Sequence, residues 1–274
     1  MTEQHAGAPA TGEPLLVLTD VGKSYGRVEA LSGVSLTVRA GEVTCVLGDN
    51  GAGKSTLIKI MSGRHEHTSG VLEVAGEERH LRGPRQAQEL GIATVYQDLA
   101  LAPLMSVWRN FFLGRELRRG PFLDAARMRR VAEEELRRLG VDVGDLDRPV
   151  GSLSGGQKQC VAIARAIHFG AKVIILDEPT AALGVRQSGV VLRYVAAARD
   201  AGLGVVLITH NPQHAYLVGD HFVVLRRGRV SLDAARSELT LEELTTQMSG
   251  ADDLAALRHE MRTDPHPTPQ EENP

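Results

Sequence analysis

The chain has 274 residues, 31 basic against 34 acidic for a formal charge of −3, and 42% of its residues are apolar. That length permits one large domain, or one carrying a subdomain, and the apolar share excludes a disordered chain. The near-neutral charge excludes a protein whose main work is coating nucleic acid, which needs clustered Lys and Arg to displace counterions, so no nucleic-acid partner is expected.

Residues 1–13 are small, polar and Gly/Pro-containing, and read as a disordered tail without the basic-then-apolar order of a signal peptide. Short β-branched runs then recur at 15–20, 34–38, 43–48, 71–75, 92–96, 172–177, 205–209 and 221–226. Several are apolar on consecutive positions, as strands covered on both faces are, and they predict a parallel central sheet. The early runs differ. Residues 34–38 alternate, and the chain turns at Ala40-Gly41 as a hairpin would, which predicts an antiparallel layer beside the parallel core. Cys45 and Cys160 lie in apolar stretches without zinc or redox spacing and read as buried, reduced thiols. No run approaches the roughly 18 apolar residues of a membrane span, so the chain is expected to stay in the cytosol.

Gly48-Asp49-Asn50-Gly51-Ala52-Gly53-Lys54-Ser55 matches G-x-x-x-x-G-K-[ST] and lies between the apolar run at 43–47 and the helical pattern that starts at Thr56. In that setting the glycines let the backbone curl so that successive N–H groups meet phosphate oxygens, and the helix N-terminus adds partial positive charge. Lys54 is expected to reach the β- and γ-phosphates of ATP and Ser55 to ligate Mg²⁺, with Thr56 beside them at the helix start.

Between 98 and 160 the strand signal vanishes. There Met128, Val131, Ala132, Leu136 and Leu139 share a helical stripe, with Glu133/Arg137 and Glu134/Arg138 as i,i+4 pairs outside it and Gly140 as a stop. A helical subdomain inserted into an α/β core is the expectation. Residues 173–176 form a buried strand whose exit presents Asp177 and Glu178 at the carboxyl edge of the sheet, where α/β proteins gather ligands. Asp177 suits a Mg²⁺ partner acting through water, and Glu178 a general base on the attacking water. A last helix starts with a capping box at Thr240 and Glu243, and residues 263–274, rich in Pro and Glu, read as a second tail. The expected organisation is a tail at 1–13, an ATP-binding domain at 14–250 with its helical part at 98–160, and a C-terminal helix and tail at 251–274.

Leu153-Ser154-Gly155-Gly156-Gln157 opens a helical pattern and lies 20 residues before Asp177. With the glycine loop upstream and Leu176-Asp177-Glu178-Pro179 downstream, residues 15–235 resemble the ATP-binding subunits of ABC transporters. The resemblance implies a P-loop NTPase core with a flanking antiparallel layer. It also implies a head-to-tail dimer, a homodimer or paired cassette, in which this LSGGQ signature serves the ATP of the partner. By the same resemblance Tyr25 stacks on adenine, Gln97 senses Mg²⁺, water and the membrane partner, and His210 is the switch histidine at the γ-phosphate. The family usually carries Asp where this chain has Gly184, a residue that helps couple the two sites across the dimer.

Residues 95–103 and 106–116 look like the matching stretch in monosaccharide importers of the ribose, xylose and fructose type, although Arg109 replaces a commonly acidic residue. The resemblance implies an ATPase peripheral on the inner face of the plasma membrane. It would energise sugar import through two transmembrane permease subunits, with an extracytoplasmic sugar-binding protein as an indirect partner. An export or efflux cassette, and a non-transport ABC ATPase, are the other readings. Leu101, Leu104, Met105, Trp108, Phe111 and Phe112 follow Gln97, and part of this apolar set is expected to stay exposed for a membrane-subunit helix.

Overall fold

The computed structural model describes residues 12–249 except Leu139, with only the backbone of Ser249. Strands β1 (Pro14–Tyr25), β2 (Val28–Arg39), β4 (Ser69–Val74) and β5 (Glu77–Glu78) make an antiparallel sheet in the order β2-β1-β4-β5. A second sheet has the order β12-β11-β3-β10-β9-β6, built from β3 (Glu42–Leu47), β6 (Ile92–Val95), β9 (Val173–Asp177), β10 (Gly204–Thr209), β11 (His221–Arg226) and β12 (Arg229–Ala235). It is parallel except for the β11–β12 edge.

The alternation of side chains across the parallel strands explains why their sequences are apolar throughout. Cys45, Leu47, Ile174, Leu176, Val205 and Leu207 face one core, formed with helices α3 (Val107–Phe112), α4 (Ala125–Arg138), α5 (Gly155–His168) and α6 (Val185–Asp200). Val46, Val173, Ile175, Val206 and Ile208 face the other, shared with the antiparallel sheet and α1 (Lys54–Met61). Burying both faces removes each strand from water on both sides, which is why period-2 polarity is absent there. The remaining helices are α2 (Pro84–Glu89), α7 (Pro212–Val218) and α8 (Leu241–Ser249), and β7 (Arg118–Arg119) pairs with β8 (Phe122–Leu123) as a short hairpin.

The expected α/β class holds, with its parallel sheet, antiparallel layer and helical insertion between β6 and β9. The Ala40-Gly41 turn is a different matter: it joins no hairpin, because β2 and β3 lie in different sheets. The turn is fixed from both sides, the Ala40 N–H donating to Glu13 O and the Gly41 N–H to Leu203 O, and it hands the chain from one layer to the next. The tail expected at 1–13 is pinned at its end, since the Gly12 N–H donates to Ala40 O; residues 1–11 and 250–274 lie outside the described residues. The strand-poor stretch also carries the β7–β8 hairpin.

On α4, Met128, Ala132 and Leu136 are buried as the stripe requires, Val131 is half-buried, and Leu139 lies outside the described residues. Glu133 pairs with Arg137 at 2.6 Å, but Glu134 and Arg138 do not pair with each other: Arg138 takes Glu135 at 2.9 Å and Glu134 faces Arg130 at 4.0 Å. Exposed i,i+3 and i,i+4 partners differ by only tenths of a kcal/mol, so sequence spacing does not select among them. The capping box at Thr240 opens α8 in both directions.

Asn110 organises the segment after Gln97. It is fully buried; its Oδ1 accepts from the Ala102 N–H at 2.8 Å, and its Nδ2 donates to the carbonyls of Ala102, Met105 and Ser106. Asn110→Ala leaves the Ala102 N–H without its partner, while the three carbonyls keep their backbone donors, and about 2 kcal/mol of stability should be lost on denaturant unfolding. A loss below about 0.5 kcal/mol would mean that the loop finds other partners.

Candidate functional site

At the end of β3 the chain curls through residues 48–53 into α1. Gly48 has φ 146° and Gly53 φ 109°, and a Cβ on Gly48 would lie 2.4 Å from the Leu225 carbonyl oxygen, one on Gly53 2.7 Å from Leu31 Cδ2. Glycine is therefore required twice over, by backbone angle and by close packing. The loop is tied to the β11–β12 turn by the Gly228 N–H donating to Ala52 O at 2.9 Å. Lys54 Nζ folds over the loop and donates to the carbonyls of Gly48 and, at 3.1 Å, Asp49.

These residues open onto a cavity of about 560 Å³. One wall is the loop, residues 49–51 and 53–56; another is Gln97, Asp177 and Glu178. So loop, carboxylates and Gln97, far apart in sequence, share one cleft. The third wall, Val28–Ala30 with Arg227 and Gly228, was not legible in the motifs. The signal that was available is the short Arg227-Gly228 turn, whose two residues both have positive φ as a tight hairpin demands.

Glu178 is held in an unusual way. Its φ is 48°, rare for a residue with a Cβ, and its N–H donates to Ile208 O of the neighbouring strand. Its Oε1 meets His210 Nδ1 at 2.9 Å, while Oε2 is buried without a hydrogen-bond partner. Glu178 thus lines the cleft with acceptor capacity that no group of the protein uses. Burial, and then the neighbouring Glu178 charge, push the Asp177 carboxyl above its ordinary range, and Lys54 pulls it back. The loop beyond Glu178 is locked by a contact that the motifs did not reveal, Thr180 Oγ1 to His214 Nδ1 at 3.0 Å.

The residues present fit a nucleotide with Mg²⁺. The loop offers amide donors and one ammonium for phosphate, while Ser55, Asp177 and Gln97 offer only oxygen and amide groups. Among the described residues no cluster of three or more His, Cys, Asp or Glu could cage a metal.

The other expected residues sit apart from this cleft. Tyr25 is 40% exposed and does not line the cavity; its hydroxyl meets His65 Nδ1 at 2.6 Å. Leu153 to Gln157 line no part of the cavity either. Ser154 caps α5 through the Gln157 N–H, Gln157 Oε1 accepts from the Ser154 N–H, and Leu153 is buried. A Cβ on Gly155 would lie 2.5 Å from Leu183 Cδ2, which ties the helix start to the loop before α6. Gly184 is the N-cap residue of α6, with no side-chain cap and open space where a Cβ would be. Gln97 faces a second cavity of about 490 Å³ shared with residues 98–101, Pro103, Val150, Gly151 and Lys158. Of the apolar set, Trp108, Phe111 and Phe112 are core, Leu101 and Met105 are half-buried, and Leu104 is 92% exposed. Cys45 and Cys160 are buried and free; burial pushes both thiols up, Cys160 to about 12.

A sequence model of the family described as ABC transporter matches residues 31–181. The xylose/arabinose import ATP-binding protein of Sulfolobus acidocaldarius is 45% identical over 235 residues, which cover 86% of this chain and 94% of that one. The fructose import ATP-binding protein of Rhizobium meliloti is 42% identical over 247 residues, covering 87% and 95%. The dimeric structure of a bacterial ABC transporter cassette superposes with a TM-score of 0.69 at 26% identity, covering 81% of this chain and 99% of that one.

Proposed function

We propose that this chain, which belongs to the ABC transporter family of ATP-binding subunits, spends ATP to drive import of a monosaccharide through separate membrane subunits. ATP hydrolysis is general to the family. The import direction and the sugar class rest on one observation, near end-to-end similarity to xylose/arabinose and fructose import ATP-binding proteins.

Within the site, Lys54 and the amides of residues 48–56 would hold the β- and γ-phosphates. Ser55, Asp177 and Gln97 would hold Mg²⁺, which when bound neutralises phosphate charge. Glu178 would accept the proton of the attacking water at its unpartnered oxygen, while His210, bonded to the other oxygen, fixes the carboxylate and reaches toward the γ-phosphate. Tyr25 would turn from His65 to stack on adenine. Because residues 153–157 lie outside this cleft, their capped helix start suits the ATP of a second cassette, in a dimer like that solved for a bacterial ABC transporter cassette. No helix among the described residues is long and apolar enough to cross a membrane, in keeping with a peripheral subunit that pairs with permease subunits. Gln97, at the wall between its two cavities, would connect ATP to that partner.

The test is purification with the co-purifying membrane subunits into vesicles and assay of ATP hydrolysis against a panel of monosaccharides. Stimulation by a pentose or hexose with its binding protein on the outer side is expected. Stimulation by a substrate offered from the nucleotide side, with no binding protein, would favour an export cassette instead.

A further inference from the structure

Residues 115–130 carry six arginines against two carboxylates, Glu116 and Asp124; Arg129 and Arg130 are met from outside the stretch by Asp147 and Glu134, which leaves two positive charges in excess within a chain of net charge −3. The β7–β8 hairpin lies at the centre of this stretch and turns at Gly120-Pro121. Its register sets Arg119 opposite Phe122 and Arg118 opposite Leu123, so each face of the ribbon carries one guanidinium beside one large apolar side chain. Phe122 is 75% and Leu123 53% exposed, although the chain has only five Phe and three of them, Phe111, Phe112 and Phe222, are fully buried.

The exposure belongs to an anchored hairpin. At its base the Asp124 N–H donates to Leu117 O at 2.9 Å, Leu117 packs on the helical core, and Asp124 Oδ1 accepts from the Arg127 N–H at the start of α4. A ribbon of two residues per strand adds little to the core, and water gains nothing from a rigidly presented Phe-Leu pair. The matching environment is a layer of anionic phosphates over hydrocarbon, in which arginines pair with the phosphates while the apolar side chains sink beneath them.

We infer that the β7–β8 hairpin binds the anionic lipid surface of the membrane end-on, its Gly120-Pro121 turn leading so that both faces meet the surface, with Arg118 and Arg119 on headgroup phosphates and Phe122 and Leu123 at the acyl boundary. This rests on reading the protein as a membrane-peripheral subunit.

The test uses the full chain in flotation assays, with vesicles of phosphatidylcholine alone and of phosphatidylcholine and phosphatidylglycerol in equal parts. The wild type should float with the anionic vesicles only, and less so as salt rises. Arg118→Glu/Arg119→Glu and Phe122→Ser/Leu123→Ser should each lose about tenfold or more in partition, with ATP hydrolysis in solution and melting temperature unchanged. Phe122→Trp should keep binding and shift its emission to the blue on anionic vesicles. Equal partition to both vesicle types, or to neither, would overturn the assignment, as would double variants that float like wild type. So would variants that float normally yet no longer co-purify with the membrane subunits, because that would give the hairpin to a protein partner. Intact ATP hydrolysis in any of these cases leaves the nucleotide site standing apart from the lipid proposal.

Discussion

Replacing Lys54 by alanine is expected to abolish ATP hydrolysis. The lysine is the one cation of the glycine loop proposed to hold phosphate, its ammonium already turned onto that loop by the carbonyls of Gly48 and Asp49. In a cleft walled by Asp177 and Glu178 a triphosphate would otherwise meet mainly negative charge. Removing a group aimed at charge that develops in the transition state costs about a hundredfold to a thousandfold in rate, and Lys54 also holds the ground state. The fold should tolerate the change, since Lys54 makes only loop-local bonds and is only half-buried at the start of α1. Phosphate release by the purified variant, alongside its melting curve, is the measurement. Normal turnover would place the phosphate cradle elsewhere on the chain.

Glu178→Gln should separate binding from chemistry. The amide has the same shape and can still meet His210, so the loop after β9 keeps its course, but it cannot take a proton from water. A general base of this kind contributes about a hundredfold to ten-thousandfold. ATP affinity should survive, hydrolysis should fall within that range, and the variant should collect as a dimer with nucleotide trapped, visible by light scattering in ATP. An unchanged hydrolysis rate would move the base to another residue and leave the orphaned Oε2 without a task.

Much of this molecule could be read in one dimension because its signals are local. A glycine loop between a strand and a helix, a serine three residues before the glutamine that caps it in return, and apolar runs that alternate nowhere each carry their structure in adjacent residues. Hence the glycine loop, the start of α5 and the parallel strands were legible without a fold. Hydrophobic runs report burial but not the neighbour that buries them, which is why the Ala40-Gly41 turn read as a hairpin while it actually changes sheets.

The sequence by itself determined the glycine loop between strand and helix, the adjacent carboxylates at a strand end, the helix that opens after Ser154 and the α/β class, because each is dictated by backbone freedom or by patterning within a few residues. Only the tertiary structure decided that Glu178 meets His210, 32 residues away, that the Arg227-Gly228 turn walls the cleft, that Tyr25 is held by His65, and that Phe122 stands outside while Phe111 is sealed within. Those choices depend on which strands pair and which faces meet, and pairing is set by long-range packing free energy that no local window of residues contains.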